Sequence, residues 1–436
     1  MLQAVISDQK ALKWESSAIE RQHVSIIDDD SVVVISGIHR CGKSTLLQAI
    51  RAKNKEQDYY LNFDDERLIH FKVEDFQLLL ELFGERFGKQ TRFYFDEIQN
   101  VSGWERFVRR LHDYGNKVYI TGSNASMLSK ELGTHLTGRY QQIELYPFSF
   151  LEYLKLKGTD IHSLDHFNTD DKVVLKAAFN EYFKLGGFPA FLKSKNTEYL
   201  KSLYESVLYR DVMVRNGITN EQEILELMFF VTSNTSKLIS YNSLAKVIGV
   251  KNATTVKQYL GFLQDAYMLS VVPKYDVSVK KQLLNAKKVY GIDLGLMRQI
   301  SFQHSENQGR LLENLVFLEL KRQAKTIYYH HNKLECDFVI KEKNSITQAI
   351  QVCWSMHDDK TKQREINGLL DAMTAYHLKE GLILTEDESD SILIEDKKIN
   401  MMPVWLWLFK TKLNPIKEDD KDDKDDKDDK EDDFAC

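Results

Sequence analysis

The sequence predicts an α/β fold whose first part is a parallel sheet covered by helices on both faces. Two observations carry that prediction. A compact β-branched run, Val32-Val33-Val34-Ile35-Ser36, ends in glycine and leads through a short loop into a helix. Further apolar strand-like runs then alternate with stretches whose apolar residues recur at helical spacing, as strands joined by crossover helices do. A helical segment, a helix-turn-helix-like unit with a strand-like wing, and a second mixed α/β region follow.

The elements fall in this order. Residues 1–30 read as a polar lead-in with some helical character, and 31–36 as a fully buried strand. Four more strand-like runs lie at 58–63, 92–95, 117–121 and 140–145, with helical spacing over 45–53, 73–87 and 104–114. From 147 to about 220 the pattern is helical, interrupted at Gly186-Gly187-Phe188-Pro189. The expected units are a sheet domain at 1–146, a helical lid at 147–220, a winged-helix-like unit at 221–280, a mixed α/β domain at 281–413 and a tail at 414–436.

With 436 residues, the chain has room for two to four domains. Only five prolines argue against long irregular linkers. The net charge of -6 is concentrated at one end: residues 417–433 hold twelve acids and five lysines, a balance of -7. That Asp-Asp-Lys repeat has no apolar residue to order it, and a solvated, disordered tail is expected. The remainder is nearly neutral, so bulk charge gives no case for nucleic-acid or membrane binding. The four cysteines form no CxxC pair and have no zinc spacing, which points to a reduced, cytoplasmic protein. Residues 1–8 have no basic stretch leading into an apolar core, so no signal peptide is expected, and the longest apolar run, 401–409, is far below the ~20 residues of a spanning helix.

The chemistry concentrates at Gly37-Ile38-His39-Arg40-Cys41-Gly42-Lys43-Ser44-Thr45, a full match to the phosphate-binding pattern GxxxxGK[ST]. Such a loop wraps a β-phosphate with backbone N–H groups, so glycines sit where it turns tightly, and the following helix adds its positive end. Lys43 is expected to neutralise the β/γ oxygens and the Ser44 hydroxyl to ligate Mg²⁺. Phe93-Tyr94-Phe95-Asp96-Glu97 is an apolar strand ending in two carboxylates. Asp96 is assigned to the Mg²⁺ shell and Glu97 to activating the attacking water. The order of these motifs, with a strand-like run between them and a Glu beside the Asp, resembles AAA+-type ATPases, which implies a γ-phosphate sensor at the end of the fourth strand; Ser123 and Asn124 match that position, with Asn124 preferred. Arg139 is a candidate arginine finger or cis sensor, and Arg210 on a lid helix a weaker one. Cys41 reads as a spacer.

Further motifs continue in order: Phe95-Asp96-Glu97-Ile98-Gln99, Thr121-Gly122-Ser123-Asn124, Thr137-Gly138-Arg139, Tyr146-Pro147-Phe148-Ser149-Phe150 and Arg310-Leu311-Leu312-Glu313-Asn314. The series resembles the prokaryotic AAA-family ATP-binding proteins that carry a C-terminal domain of unknown function, over about residues 15–410. That resemblance implies a P-loop NTPase sheet of AAA+ type with a helical lid. It also implies a winged helix and a restriction-endonuclease-like end.

In the middle segment, Leu244, Ala245, Ile248, Val256, Leu260 and Leu263 should form a helix-turn-helix core. Lys251, Thr254, Thr255, Lys257 and Gln258 would then lie near a DNA groove. The alternative is a winged helix that only connects domains. In the end domain, Glu313 and Asp337 match a nuclease's first acids, but its Glu-x-Lys positions hold Gln351 and Cys353. Lys341 could stand on the face of Asp337 as a migrated lysine. A retained fold without nucleic-acid hydrolysis is expected. The function expected is Mg²⁺-dependent ATP binding and hydrolysis in an AAA-type switch or motor. The alternatives are an ATP-regulated nuclease and a DNA-binding regulator that senses ATP. Double-stranded DNA and a homo-oligomer are the candidate partners, and no membrane is expected.

Overall fold

The computed structural model describes residues 1–12, 19–22, 24, 29–124, 133, 136, 138–159, 168–301 and 308–410. The acidic repeat and Thr137 lie outside them.

The lead-in begins with α1 (Leu2–Ala11), which buries Val5 and Ile6 against the first domain. The sheet domain then runs β1 (Val32–Ser36), α2 (Lys43–Ala52), β2 (Tyr60–Asn62), α3 (Phe76–Phe87), β3 (Arg92–Asp96), α4 (Trp104–Asp113), β4 (Lys117–Gly122) and β5 (Tyr140–Glu144). All five strands are parallel, in the order β2-β3-β4-β1-β5. Successive side chains on a strand face opposite ways. Val32 and Val34 therefore enter one core with Phe95 and Ile120, while Val33 and Ile35 enter another with Leu47 and Tyr94. Burial on both faces is why these strands read as unbroken apolar runs.

The helical region contains α5 (Phe150–Leu156), α6 (Thr169–Leu185), α7 (Pro189–Ser194), α8 (Thr197–Ser206), a π-helical stretch (Val207–Val214) and α9 (Glu221–Ser233). Ser149 caps α5, accepting from the Glu152 N–H, while Glu152 accepts from the Ser149 N–H. Next come β6 (Leu238–Ile239), α10 (Tyr241–Val247), α11 (Ala253–Asp265), β7 (Leu269–Pro273), α12 (Val279–Leu284), β8 (Lys287–Gly291) and α13 (Leu294–Ile300). The strands form an antiparallel sheet, β6-β8-β7. All six expected core residues, Leu244 through Leu263, are buried. Because β8 pairs with both β6 and β7, this small sheet straddles the boundary placed at 280.

The end domain contains α14 (Gln308–Arg322), β9 (Thr326–His331), β10 (Glu335–Glu342), β11 (Ser345–Val352), α15 (Asp359–Ala375), β12 (Glu380–Thr385), β13 (Asp390–Ile394), β14 (Lys397–Pro403) and α16 (Val404–Lys410). Its six-stranded mixed sheet runs β13-β14-β12-β11-β10-β9. Residues 311–320 of α14 are all buried, and this helix packs against β8 and α13 on the one hand and β9, β11 and α16 of the end domain on the other. Among the described residues, no helix is long and apolar enough to cross a membrane.

Candidate nucleotide site

The loop between β1 and α2 needs its glycines for steric reasons. Gly37 has φ 150°, and a Cβ there would stand 2.2 Å from the carbonyl oxygen of Leu145. Gly42 has φ 106°, and Arg40, at φ 65°, occupies the left-handed region despite its side chain. Alternating handedness over these residues is the backbone pattern of an anion-binding concavity.

Lys43, Ser44, Asp96, Glu97 and Asn124 all lie at the C-terminal edge of the parallel sheet, where open α/β sheets bind ligands. The Ser44 hydroxyl is 3.1 Å from an Asp96 oxygen, and Thr121 donates its hydroxyl to that same oxygen. The Thr121 oxygen in turn accepts from the Glu97 N–H at 2.9 Å. Tyr60, on β2, approaches the second Asp96 oxygen at 3.4 Å. Burial, then the neighbouring Glu97 charge, push Asp96 up to about 6. A hydroxyl and a buried carboxylate 3.1 Å apart form a hard oxygen pair, which fits Mg²⁺ completed by phosphate and water.

Glu97 is 6% exposed and sits at φ 50°, a left-handed conformation that costs free energy and recurs at functional sites. Burial opposes its charge, but Lys43 at 3.4 Å and the nearby His39 outweigh that and hold it at about 2. Gln99 donates to it at 2.6 Å and reaches the Ser123 hydroxyl at 3.4 Å. An ionised carboxylate held this way is oriented towards the site but is a weak base for as long as Lys43 stays paired with it. Cys41 is wholly buried and burial pushes its thiol up, in keeping with a spacer.

The lid touches the loop through His39. Arg210, on the π-helical stretch, places a guanidinium nitrogen 3.1 Å from the His39 ring and another 3.6 Å from Asp64. Burial, offset by Glu97 and reinforced by Lys43 and Arg210, lowers His39 to about 4. Arg139 is elsewhere. Its carbonyl accepts from Val32 at the start of β1, and its half-exposed side chain pairs with Asp113 at 2.8 Å. It therefore stands at the N-terminal edge of the sheet, whereas the loop lies at the C-terminal edge.

Sequence reasoning missed Arg21. Its buried guanidinium donates to the Cys41 carbonyl at 3.0 Å, to Glu152 on α5 at 3.0 Å, and to the Tyr146 carbonyl. Arg322, at the end of α14, donates to the next carbonyls, Pro147 at 3.1 Å and Phe148 at 3.4 Å. Two arginines thus hold three successive carbonyls, Tyr146 to Phe148, of the segment after β5. A polar lead-in and a helix end carry no local pattern that would reveal this.

In the end domain, Glu313 and Asp337 do meet, but the lysine between them is Lys288 from β8. Its ammonium lies 3.0 Å from Glu313, 2.8 Å from Asp337 and 2.7 Å from Glu335. Gln351 joins the cluster, its oxygen accepting from the Asp337 N–H at 3.2 Å and its amide donating to Glu365. Lys341 does not: β10 carries an extra residue relative to β9 between Cys336 and Val339, which breaks the strand alternation behind that expectation. Instead it lies opposite Thr326 and Ile346.

An AAA domain family matches residues 29–154, which hold the phosphate loop, Asp96, Glu97 and Asn124. The uncharacterized protein MJ1544 of Methanocaldococcus jannaschii is 33% identical over 93% of this chain and 95% of its own length. This chain belongs to a family of AAA-domain proteins. An uncharacterized protein of Haemophilus influenzae is 30% identical over 78% of the chain and 86% of its own length. A domain of unknown function matches residues 176–307, from within α6 past α13, and so includes the whole three-stranded sheet. The AAA domain makes this a nucleotide-binding, ATPase-like protein. Its loop, Asp96 and Glu97 are the parts of that domain described above.

Proposed function

We propose that this AAA-domain protein binds Mg·ATP, hydrolyses it, and uses the cycle as a switch or motor. One observation supports this most: Lys43, Ser44, Asp96 and Glu97 converge on one edge of one parallel sheet. Bound Mg²⁺ would withdraw charge from the β/γ oxygens, held there by Ser44 and Asp96. Gly37, Ile38, His39, Arg40, Cys41, Gly42 and Thr45 complete the phosphate loop. Lys43 exchanges Glu97 for the phosphates, which frees Glu97 to take the proton of the attacking water. Asn124 reports the γ-phosphate. Arg139, exposed beside the edge strand β5, reaches only the nucleotide of a neighbouring subunit in a homo-oligomer. The three described cysteines are free and buried, which fits the cytoplasm.

Replacing Lys43 by Ala should abolish tight ATP binding. Glu97→Gln should keep binding and lower turnover about 100-fold or more. Wild-type hydrolysis by both variants would end this proposal.

A second reading concerns partners. Helices α10 and α11, followed by antiparallel β7 and β8, have the order of a winged helix, which supports duplex DNA as a partner. The end domain is read as restriction-endonuclease-like without nuclease activity. Gln351 and Cys353 stand at its Glu-x-Lys positions, and Lys288 already neutralises the first two acids.

A further inference from the structure

The connection between β7 and β8 exposes an unusual amount of apolar side chain. Val277, Val279, Leu283 and Leu284 are 91%, 69%, 65% and 76% exposed, and α12 buries none of its residues. Isolated surface leucines need no explanation, but four large apolar residues within eight positions mark an interaction site.

The surroundings of this tip select its partner. Residues 237–291 hold nine lysines, two aspartates and no arginine or glutamate, a local balance of +7 in a chain of net charge -6. Among the described residues, the end-domain carboxylates pair with Lys288. Lys246, Lys251, Lys257, Lys280 and Lys281 are exposed. Lys287 fixes the tip, donating to the carbonyls of Gln282 at 2.6 Å and Leu283 at 3.2 Å and so tying the end of α12 to β8. Burial and then the charge of Lys257, on α11, depress Lys287.

We propose that residues 274–286 are a docking element for duplex DNA, working beside the exposed Thr254, Lys257 and Gln258 of α11. The proposal deepens the DNA-partner reading above and rests on it. Lysines on α11 and α12 neutralise phosphates across one groove. Val277, Leu283 and Leu284 supply apolar contacts to sugars and base steps in the adjoining minor groove, as wedge residues do. An anionic membrane would use the tip but leave the polar face of α11 idle, so duplex DNA satisfies more of the surface.

The test uses the full chain and fluorescence anisotropy with a random 30-base-pair duplex between 50 and 200 mM salt. Wild type should bind with a steep salt dependence. K280Q/K281Q should weaken binding about tenfold and reduce the log–log salt slope by about 2. V277S/L283S/L284S should weaken it about tenfold with the slope unchanged. Because these side chains are exposed, all variants should keep the wild-type circular dichroism melt. If K257Q/Q258A weakens binding while both tip variants bind like wild type, this proposal fails and the DNA-partner reading stands. If wild type does not bind at 50 mM salt, both fail. Tip variants that lose binding to phosphatidylserine vesicles and keep binding to DNA would overturn the proposal in favour of a membrane.

Discussion

The ammonium of Lys288, on the three-stranded sheet, lies 2.8 Å from a carboxylate oxygen of Asp337 in the six-stranded sheet. Burial alone would depress Lys288, but Asp337 above all, with Glu335, keeps it charged. The pair therefore fastens two domains through a charge that water does not reach. Breaking a buried pair from one side costs about 3–5 kcal/mol. Lys288→Met should lose about that much in urea unfolding. The double variant Lys288→Met/Asp337→Leu should lose less than the sum of the two single changes. Strict additivity would show that the two groups are not coupled.

The same cluster sets a pH dependence. Burial, then the Asp337 charge, push Glu313 up to about 8 from an ordinary 4.5. Between those values the folded chain holds a proton that the unfolded chain has released. Stability from this group therefore falls as pH rises from about 4.5 to 8. Glu313→Gln, which cannot ionise, should show a shallower loss of urea midpoint across that window than wild type. Parallel curves for the two proteins would refute the assignment.

Thr121 ties two neighbouring residues together, donating to the Asp96 carboxylate and accepting from the Glu97 backbone N–H. Thr121→Val keeps the shape and removes both bonds, leaving buried polar groups unpaired at about 1–3 kcal/mol. It should lower kcat of ATP hydrolysis more than it raises KM, because Asp96 and Glu97 lose their mutual alignment. A variant with unchanged kcat would show that the bridge only supports the fold.

Arg21 should matter to nucleotide binding although it lies outside every phosphate motif. Arg21→Met removes the donor to the Cys41 carbonyl and leaves Glu152 without its buried cation. KM for ATP should rise at least tenfold, and Arg21→Lys should restore little, since one ammonium cannot reproduce the three-way fork. Full rescue by lysine would reduce the role to charge alone.

Gly37→Ala tests the loop itself. The added methyl would stand 2.2 Å from the Leu145 carbonyl at a φ of 150°, so the loop must shift. ATP binding measured by calorimetry should be lost while far-ultraviolet circular dichroism persists. Wild-type affinity would mean that the close contact relaxes freely.

The nucleotide site was legible in the linear sequence because its chemistry is local. The glycines, Lys43 and Ser44 are neighbours on one loop, and Asp96 ends an apolar strand that alternation and burial make visible. The parallel strands were legible for the same reason, since burial on both faces leaves unbroken apolar runs such as Val32-Val33-Val34-Ile35. What the chain could not announce locally is which distant groups share a buried space. Arg21 closes on Cys41 across 20 residues, Lys288 on Asp337 across 49, and Arg322 on Pro147 across 175. Tertiary packing made those choices, because a buried charge must find its partner wherever the fold brings one. It also placed Arg139 at the opposite edge of the sheet from the phosphate loop, since parallel β1 and β5 put residues preceding a strand and residues following it at opposite ends of the sheet.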